Sequence, residues 1–192
     1  MQIGTGLEAD DDTLIDASYY EKLGMLLQMN PPIRTVHDDE VLWQALQDGV
    51  IDFIATDHAP HTLAEKGKGY PNSPSGMPGV ETSLPLMLTQ AMQGRCTVAQ
   101  VANWMSTAVA KAYRIPNKGA IAPGYDADLV LVDLDTYRPV LREDLQTKCG
   151  WSPFEGWNLT GWPIVTLVGG QVVYDRGIFS ETVRGKALIF DK

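Results

Sequence analysis

Asp57, His58 and His61 are the residues whose types and spacing could do chemistry. They follow directly on the run Val50–Thr56, VIDFIAT, which is apolar except for Asp52 and the closing threonine. That is the end of a strand at which α/β folds place catalytic groups, because the loops there vary over a rigid base. A carboxylate in this position could bind a divalent metal through oxygen or take a proton from water, and it keeps its charge despite burial when a cation lies beside it. An aspartate that merely caps the next turn is the plainer alternative. The Asp-His-x-Pro-His run is more specific than a lone acid and favours chemistry. His61 could donate to an anionic substrate oxygen from a loop stiffened by Pro60, while His58 could equally bond a backbone group and be structural.

Other candidates flank this run. Asn30 offers both a donor and an acceptor to an amide-like edge, with Pro31 and Pro32 limiting its backbone; it could also be a plain turn residue. Arg34 suits a substrate carboxylate or a neighbouring acid. In Gly76-Met77-Pro78-Gly79 the glycines would let backbone groups approach a ligand, and a lid has the same composition. Glu81 and Asp126 have ordinary explanations at a helix start and in a turn. His37 precedes a helix and is expected to face solvent.

The elements that must hold these residues follow from pattern. Met25–Leu27 reads as a short buried strand stopped by the proline pair. Val41, Leu42, Ala45 and Leu46 make an amphipathic helix over 38–49, started by Thr35 or Asp38 and ended by Gly49. Val50–Thr56 reads as a buried parallel strand. Residues 62–79 have no apolar period and read as a long functional loop. Helices are expected near 80–92, with Pro85 in the first turn, and near 97–113. Beyond Pro116 strands dominate: one at Leu129–Val132, a hairpin of Ile164–Val168 and Gln171–Tyr174 joined by Gly169-Gly170, and another at Lys186–Phe190. Residues 1–115 thus read as a partial barrel segment of the last βα units, and 116–192 as a small β-rich domain. A closed eight-stranded barrel takes roughly 250 residues, so most of one would be missing. Trp151, Trp157 and Trp162 are expected to pack a seam between the domains.

Composition removes several classes of function. The chain has 192 residues, 15 Lys+Arg against 24 Asp+Glu and a formal charge of −9. Scattered basic residues in an acidic chain leave no footprint for a phosphate backbone or an anionic membrane surface, so neither nucleic acid nor membrane is an expected partner. Cys96 and Cys149 have no ligand-like spacing and suggest neither a disulfide scaffold nor a structural zinc cluster, a usage that fits the cytoplasm. These 192 residues open on no basic-then-apolar stretch and hold no run of 18 apolar residues, so neither a signal peptide nor a spanning helix is expected.

Three motifs in order, Asn30-Pro31-Pro32-Ile33-Arg34, Asp57-His58-Ala59-Pro60-His61 and Pro78-Gly79-Val80-Glu81-Thr82, resemble dihydroorotase of the amidohydrolase superfamily. Lys118–Val130 looks like the superfamily's return from barrel to small β domain, and Trp151–Pro163 resembles that enzyme's C-terminal stretch; the likeness runs over about residues 19–191. Dihydropyrimidinase and allantoinase share the barrel logic, and Asn30 with Trp-Ser-Pro-Phe-Glu-Gly points to dihydroorotase among them.

The resemblance implies the fold class, an α/β C-terminal fragment of a (β/α)8 TIM-type barrel with a small β-sandwich-like domain. It also implies a reaction in pyrimidine biosynthesis, the reversible interconversion of dihydroorotate and N-carbamoyl-L-aspartate with one or two metal ions, commonly zinc. Asp57 matches the metal-binding aspartate that shuttles the proton; Asn30, His61, Pro78 and Gly79 match substrate contacts. The chain holds only His37, His58 and His61 and shows no His-x-His pair. Alone it is therefore expected to bind no zinc tightly and to be inactive, and to relieve exposed edges by forming a homo-oligomer or by taking up a complementary N-terminal fragment. A non-catalytic structural or protein-binding module descended from a dihydroorotase is the alternative.

Overall fold

The computed structural model describes residues 19–191. The first 18 residues of the barrel segment expected over 1–115 lie outside these residues. Tyr19–Leu23 forms α1, and Gly24–Leu27 continues as a 3-10 turn. The expected strand at Met25–Leu27 is therefore helical. Gly24 takes φ +53 to redirect the chain, and the short run then serves to bury Leu27 completely. Helix α2, Val36–Gln47, starts on a full capping box: the Thr35 side chain accepts from the Asp38 amide and Asp38 accepts from the Thr35 amide at 3.0 Å. The Thr35 hydroxyl also donates to the Asp38 carboxylate, and this bond together with that from the Thr35 amide holds the Asp38 carboxyl below its ordinary range.

The run Val50–Thr56 is the main departure from expectation. It joins no ladder among the described residues. The Val50 and Ile51 amides both donate to Ala45 O and finish α2, and the Ile54 amide donates to Trp104 O at 3.1 Å. A parallel strand needs a neighbour with a matching row of N–H and C=O groups, and no described segment supplies one. The following stretch is less bare than its composition suggests. Thr62 and Glu65 form a second capping box that nucleates α3, Leu63–Lys66.

Helix α4 is Ser83–Met92, with Pro85 in its first turn where no intrahelical donor is lost. The helix expected near 97–113 is split into α5, Val98–Ala102, a π-helical turn, Asn103–Thr107, and α6, Ala108–Ala112. Four strands follow: β1 Leu129–Pro139, β2 Asn158–Val168, β3 Gln171–Asp175 and β4 Ile178–Phe179. They form one sheet in the order β1-β2-β3-β4, with β3 antiparallel to both β2 and β4. Gly169 at φ +56 and Gly170 at φ +77 make the two-residue hairpin the paired glycines announce. Lys186–Phe190 is not a strand. Among the described residues the fold is α/β with a four-stranded sheet that neither closes into a barrel nor packs on a second sheet.

The described residues divide into two compact units. One takes the chain up to Ile51 with Ala55–Ser83 and Arg138–Leu159. Leu27, Trp43, Leu46, Trp151, Phe154 and Leu159 form its core. Phe154 and Trp157 meet edge to face at 5.1 Å between ring centroids within this unit. The other unit takes Asp52–Ile54, Leu84–Tyr137 and the chain from Thr160, around Leu86, Leu88, Val101 and Trp104. Here Thr89 binds α4 to β2: its hydroxyl lies 2.7 Å from Pro85 O and accepts from the Thr160 amide at 2.9 Å. Gly161 is required next to it, because φ is +90 and a Cβ would stand 2.7 Å from Leu88 Cβ.

Two outcomes follow for this second unit. Gly161→Ala combines a strained φ with a core clash, so a loss of roughly 2–4 kcal/mol is expected in denaturant unfolding, against about 1 kcal/mol for the capping variant Thr97→Ala. Asp128 pairs with Lys118 and accepts from the Gly169 amide at 2.7 Å, interactions that hold its carboxyl below the ordinary value of 3.8. The folded chain then binds fewer protons than the unfolded one, and the stabilisation, full above 3.8, is lost as pH falls through the lowered value. Asp128→Asn should flatten that part of an acid titration followed by circular dichroism.

Candidate active site

Asp57 stands where Val50–Thr56 ends, exposed and with φ +46. The left-handed region costs a residue with a Cβ about 1–2 kcal/mol, and aspartate tolerates it better than most. Such strain at a single exposed acid marks a position set by its surroundings. Those surroundings are two loops joined along their length. The Ala59 amide donates to Met77 O at 3.1 Å. Gly76, at φ +125, lies so close that a Cβ there would be 2.6 Å from Ala59 Cβ. The His58 Nδ1 accepts from the amides of Gly79 at 3.1 Å and Val80 at 3.3 Å. An accepting Nδ1 carries no proton, so His58 holds the second loop as a structural partner.

Lys66 fixes the far end of the same arrangement. It is fully buried, and its ammonium donates to the carbonyls of Gln28 at 2.9 Å, Pro74 at 2.9 Å and Gly76 at 3.0 Å. Burial pushes this amine below the ordinary lysine range, while three carbonyl acceptors match its three N–H groups. Gly76 N and Gln28 Nε2 add bonds to Gln28 O and Ser73 O, both at 2.9 Å. No sequence signal identifies Lys66 as buried. The Thr62–Glu65 capping box places it on a helix, and only packing turns it inward.

Asn30 and Asp57 line one cleft of about 600 Å³, together with Pro31, Pro32 and Arg34. His37 is on its rim with its side chain 83% exposed, 4.0 Å from Glu40. His61, Pro78 and Gly79 do not line this cleft. The His61 ring is half-buried with Nε2 3.2 Å from Ser75 O, and Pro78 is buried. Gly79 is already engaged at both backbone groups, its amide by His58 and its carbonyl by the Thr82 and Ser83 amides. Glu81 does more than open a helix: its carboxylate accepts from the amides of Gln146 at 2.7 Å and Thr147 at 2.8 Å. This role depends on a segment some 65 residues further along the chain, so the local sequence gives no sign of it.

Among the described residues no three His, Cys, Asp or Glu side chains come together to hold a metal ion. Asp57 is one carboxylate, and a zinc site needs three or four protein ligands. These residues do not by themselves fit a metal.

A family model described as the amidohydrolase family matches residues 34–173, and the chain belongs to that family. Its sequence is 46% identical over 155 residues to a dihydroorotase of Halobacterium salinarum, covering 81% of this chain and 36% of that protein. It is 40% identical over 169 residues to a dihydroorotase of Geobacillus thermodenitrificans, covering 88% and 37%. Among solved structures, dihydropyrimidinase from Brevibacillus agri superposes with a TM-score of 0.81 at 29% identity, covering 86% of this chain and 38% of that one. L-hydantoinase from Arthrobacter aurescens gives 0.81 at 33% identity with the same coverage. The chain thus spans well under half the length of the relatives it matches. No helix among the described residues is long and apolar enough to cross a membrane.

Replacing Lys66 tests how the two loops are held. Lys66→Met fills the same volume but leaves carbonyls without a donor, at roughly 1–3 kcal/mol for each one orphaned. Thermal unfolding should fall well below that of a surface control such as Lys148→Met.

Proposed function

We propose that this chain carries the proton-transfer corner of a dihydroorotase, acting on dihydroorotate and N-carbamoyl-L-aspartate. The observation that carries the reading is Asp57, exposed at φ +46 on the wall of the cleft that Asn30 also lines. The identities to dihydroorotases, 40% and 46%, favour that substrate over the hydantoinase type, whose solved relatives are 29% and 33% identical.

In the hydrolytic direction water adds to the ring carbonyl carbon, and the Asp57 carboxylate takes the proton the water gives up. The tetrahedral adduct then breaks its C–N bond, and Asp57 returns that proton to the departing nitrogen, leaving the carbamoyl amino acid. Asn30 bonds the ring amide edge, for which its paired donor and acceptor are suited. His61 donates to the substrate carboxylate. Pro78 and Gly79 enter as backbone contacts by the dihydroorotase resemblance alone, since both lie outside the cleft that Asn30 and Asp57 line. Asp57 would also contribute one ligand to a metal whose remaining ligands lie outside the described residues.

A second reading has a specific observation in its favour. The absence of a metal-ligand cluster among the described residues suits a non-catalytic binding module descended from a dihydroorotase. Turnover separates the two. The chain is expected to hydrolyse no dihydroorotate alone and to do so when mixed with the N-terminal portion of a dihydroorotase such as the Geobacillus protein. In that mixture Asp57→Asn should lower kcat by about 10²–10⁴. Equal turnover by the variant would remove Asp57 from the mechanism, and none from any mixture would favour the binding module.

A further inference from the structure

The loop that carries His61 is gripped from a point 90 residues further along the chain. Trp151 is 1% exposed, and its indole Nε1–H donates to the His61 carbonyl at 2.7 Å. The stretch before Trp151 is anchored in turn. Glu81 takes the Gln146 and Thr147 amides, and the Thr147 hydroxyl lies 3.3 Å from Cys149 Sγ. Trp151 and Ser152 line a small cavity with His58, Pro78 and Gly79, so this segment backs both loops of the site. An indole is a rigid ring with a single donor and no acceptor, and in a close-packed interior it has little room to turn. Its bond therefore fixes one point of backbone. That point belongs to a residue whose ring nitrogen Nε2 lies 3.2 Å from Ser75 O.

We infer that Trp151 is a positioning residue for His61: its N–H sets the backbone from which the imidazole projects, without itself touching what the imidazole binds. The consequence for substrate selection rests on the reading of His61 as a carboxylate contact. The positioning does not, and it can be measured without ligand.

The test replaces Trp151 by benzothienylalanine, which keeps the bicyclic shape and removes only the N–H, and in a second variant makes Trp151→Phe. The chain has three histidines, His37, His58 and His61, so the ring 1H–13C resonances are assignable by single substitution. Losing the bond should move the His61 ring resonance and speed amide exchange over residues 59–63 about tenfold, the effect of one hydrogen bond on local opening. The His37 resonance and exchange over α2, in the same unit, should not change. An unaltered His61 resonance and unaltered exchange in the isostere would overturn the inference. So would equal acceleration across α2, which would make Trp151 a general core residue. Should the Phe variant fail to fold, the isostere decides alone. Titrating dihydroorotate into the unsubstituted chain tests the substrate reading separately: no saturable shift at the His61 ring refutes that reading and leaves the exchange result standing.

Discussion

The buried ammonium of Lys66 shows what the site depends on. A full positive charge removed from water is costly unless its donors are met, and here they are met by three backbone carbonyls with no carboxylate among them. Those carbonyls come from Gln28, Pro74 and Gly76, on two separate stretches of chain. The bonds are geometric constraints on both stretches at once. Gln28 is two residues before Asn30, and Gly76 is the residue that touches Ala59. One side chain thus ties the Asn-Pro-Pro turn to the loop that faces the Asp57–His61 run.

The remaining order in the site is built by acceptors and donors aimed at backbone. His58 accepts two amides, Glu81 accepts two, and Trp151 donates to one carbonyl. Each is a chemically active residue type used for support. Asp57 and Asn30 are exposed where they line the cleft, as are Arg34 and His37. This division fits a catalytic region in which a rigid shell carries a few reactive groups. The loop rich in glycine and proline is bonded both within itself, by Lys66 to Pro74 and Gly76, and to a distant segment, by Lys66 and Gly76 to Gln28.

Charge supports the same division. The acids at the helix starts, Asp38 and Glu65, accept bonds from their own caps and are held below the ordinary carboxylate range by them. Their negative charge is committed to local structure. Asp57 belongs to neither capping box and is exposed at φ +46.

Local chemistry made some of this legible in the sequence alone. Thr35 with Asp38 and the glycine pair at 169–170 act through neighbours a few residues away, so their helix and hairpin could be read directly. The three motifs around Asn30, Asp57 and Pro78 likewise revealed the family, because each is contiguous. The run Val50–Thr56 misled, since apolar character reports burial whereas a strand requires a partner with matching hydrogen-bonding groups. The bonds made by Lys66, Glu81 and Trp151 were invisible for a related reason, although Glu81 and Trp151 stood out for other roles. Glu81 and Trp151 meet partners 65 to 90 residues away and Lys66 meets Gln28 38 residues away, and no local pattern of residue types encodes which carbonyl or amide a side chain will meet. Only the tertiary structure decides that, because it alone fixes which backbone groups are cut off from water and must find a partner within the protein.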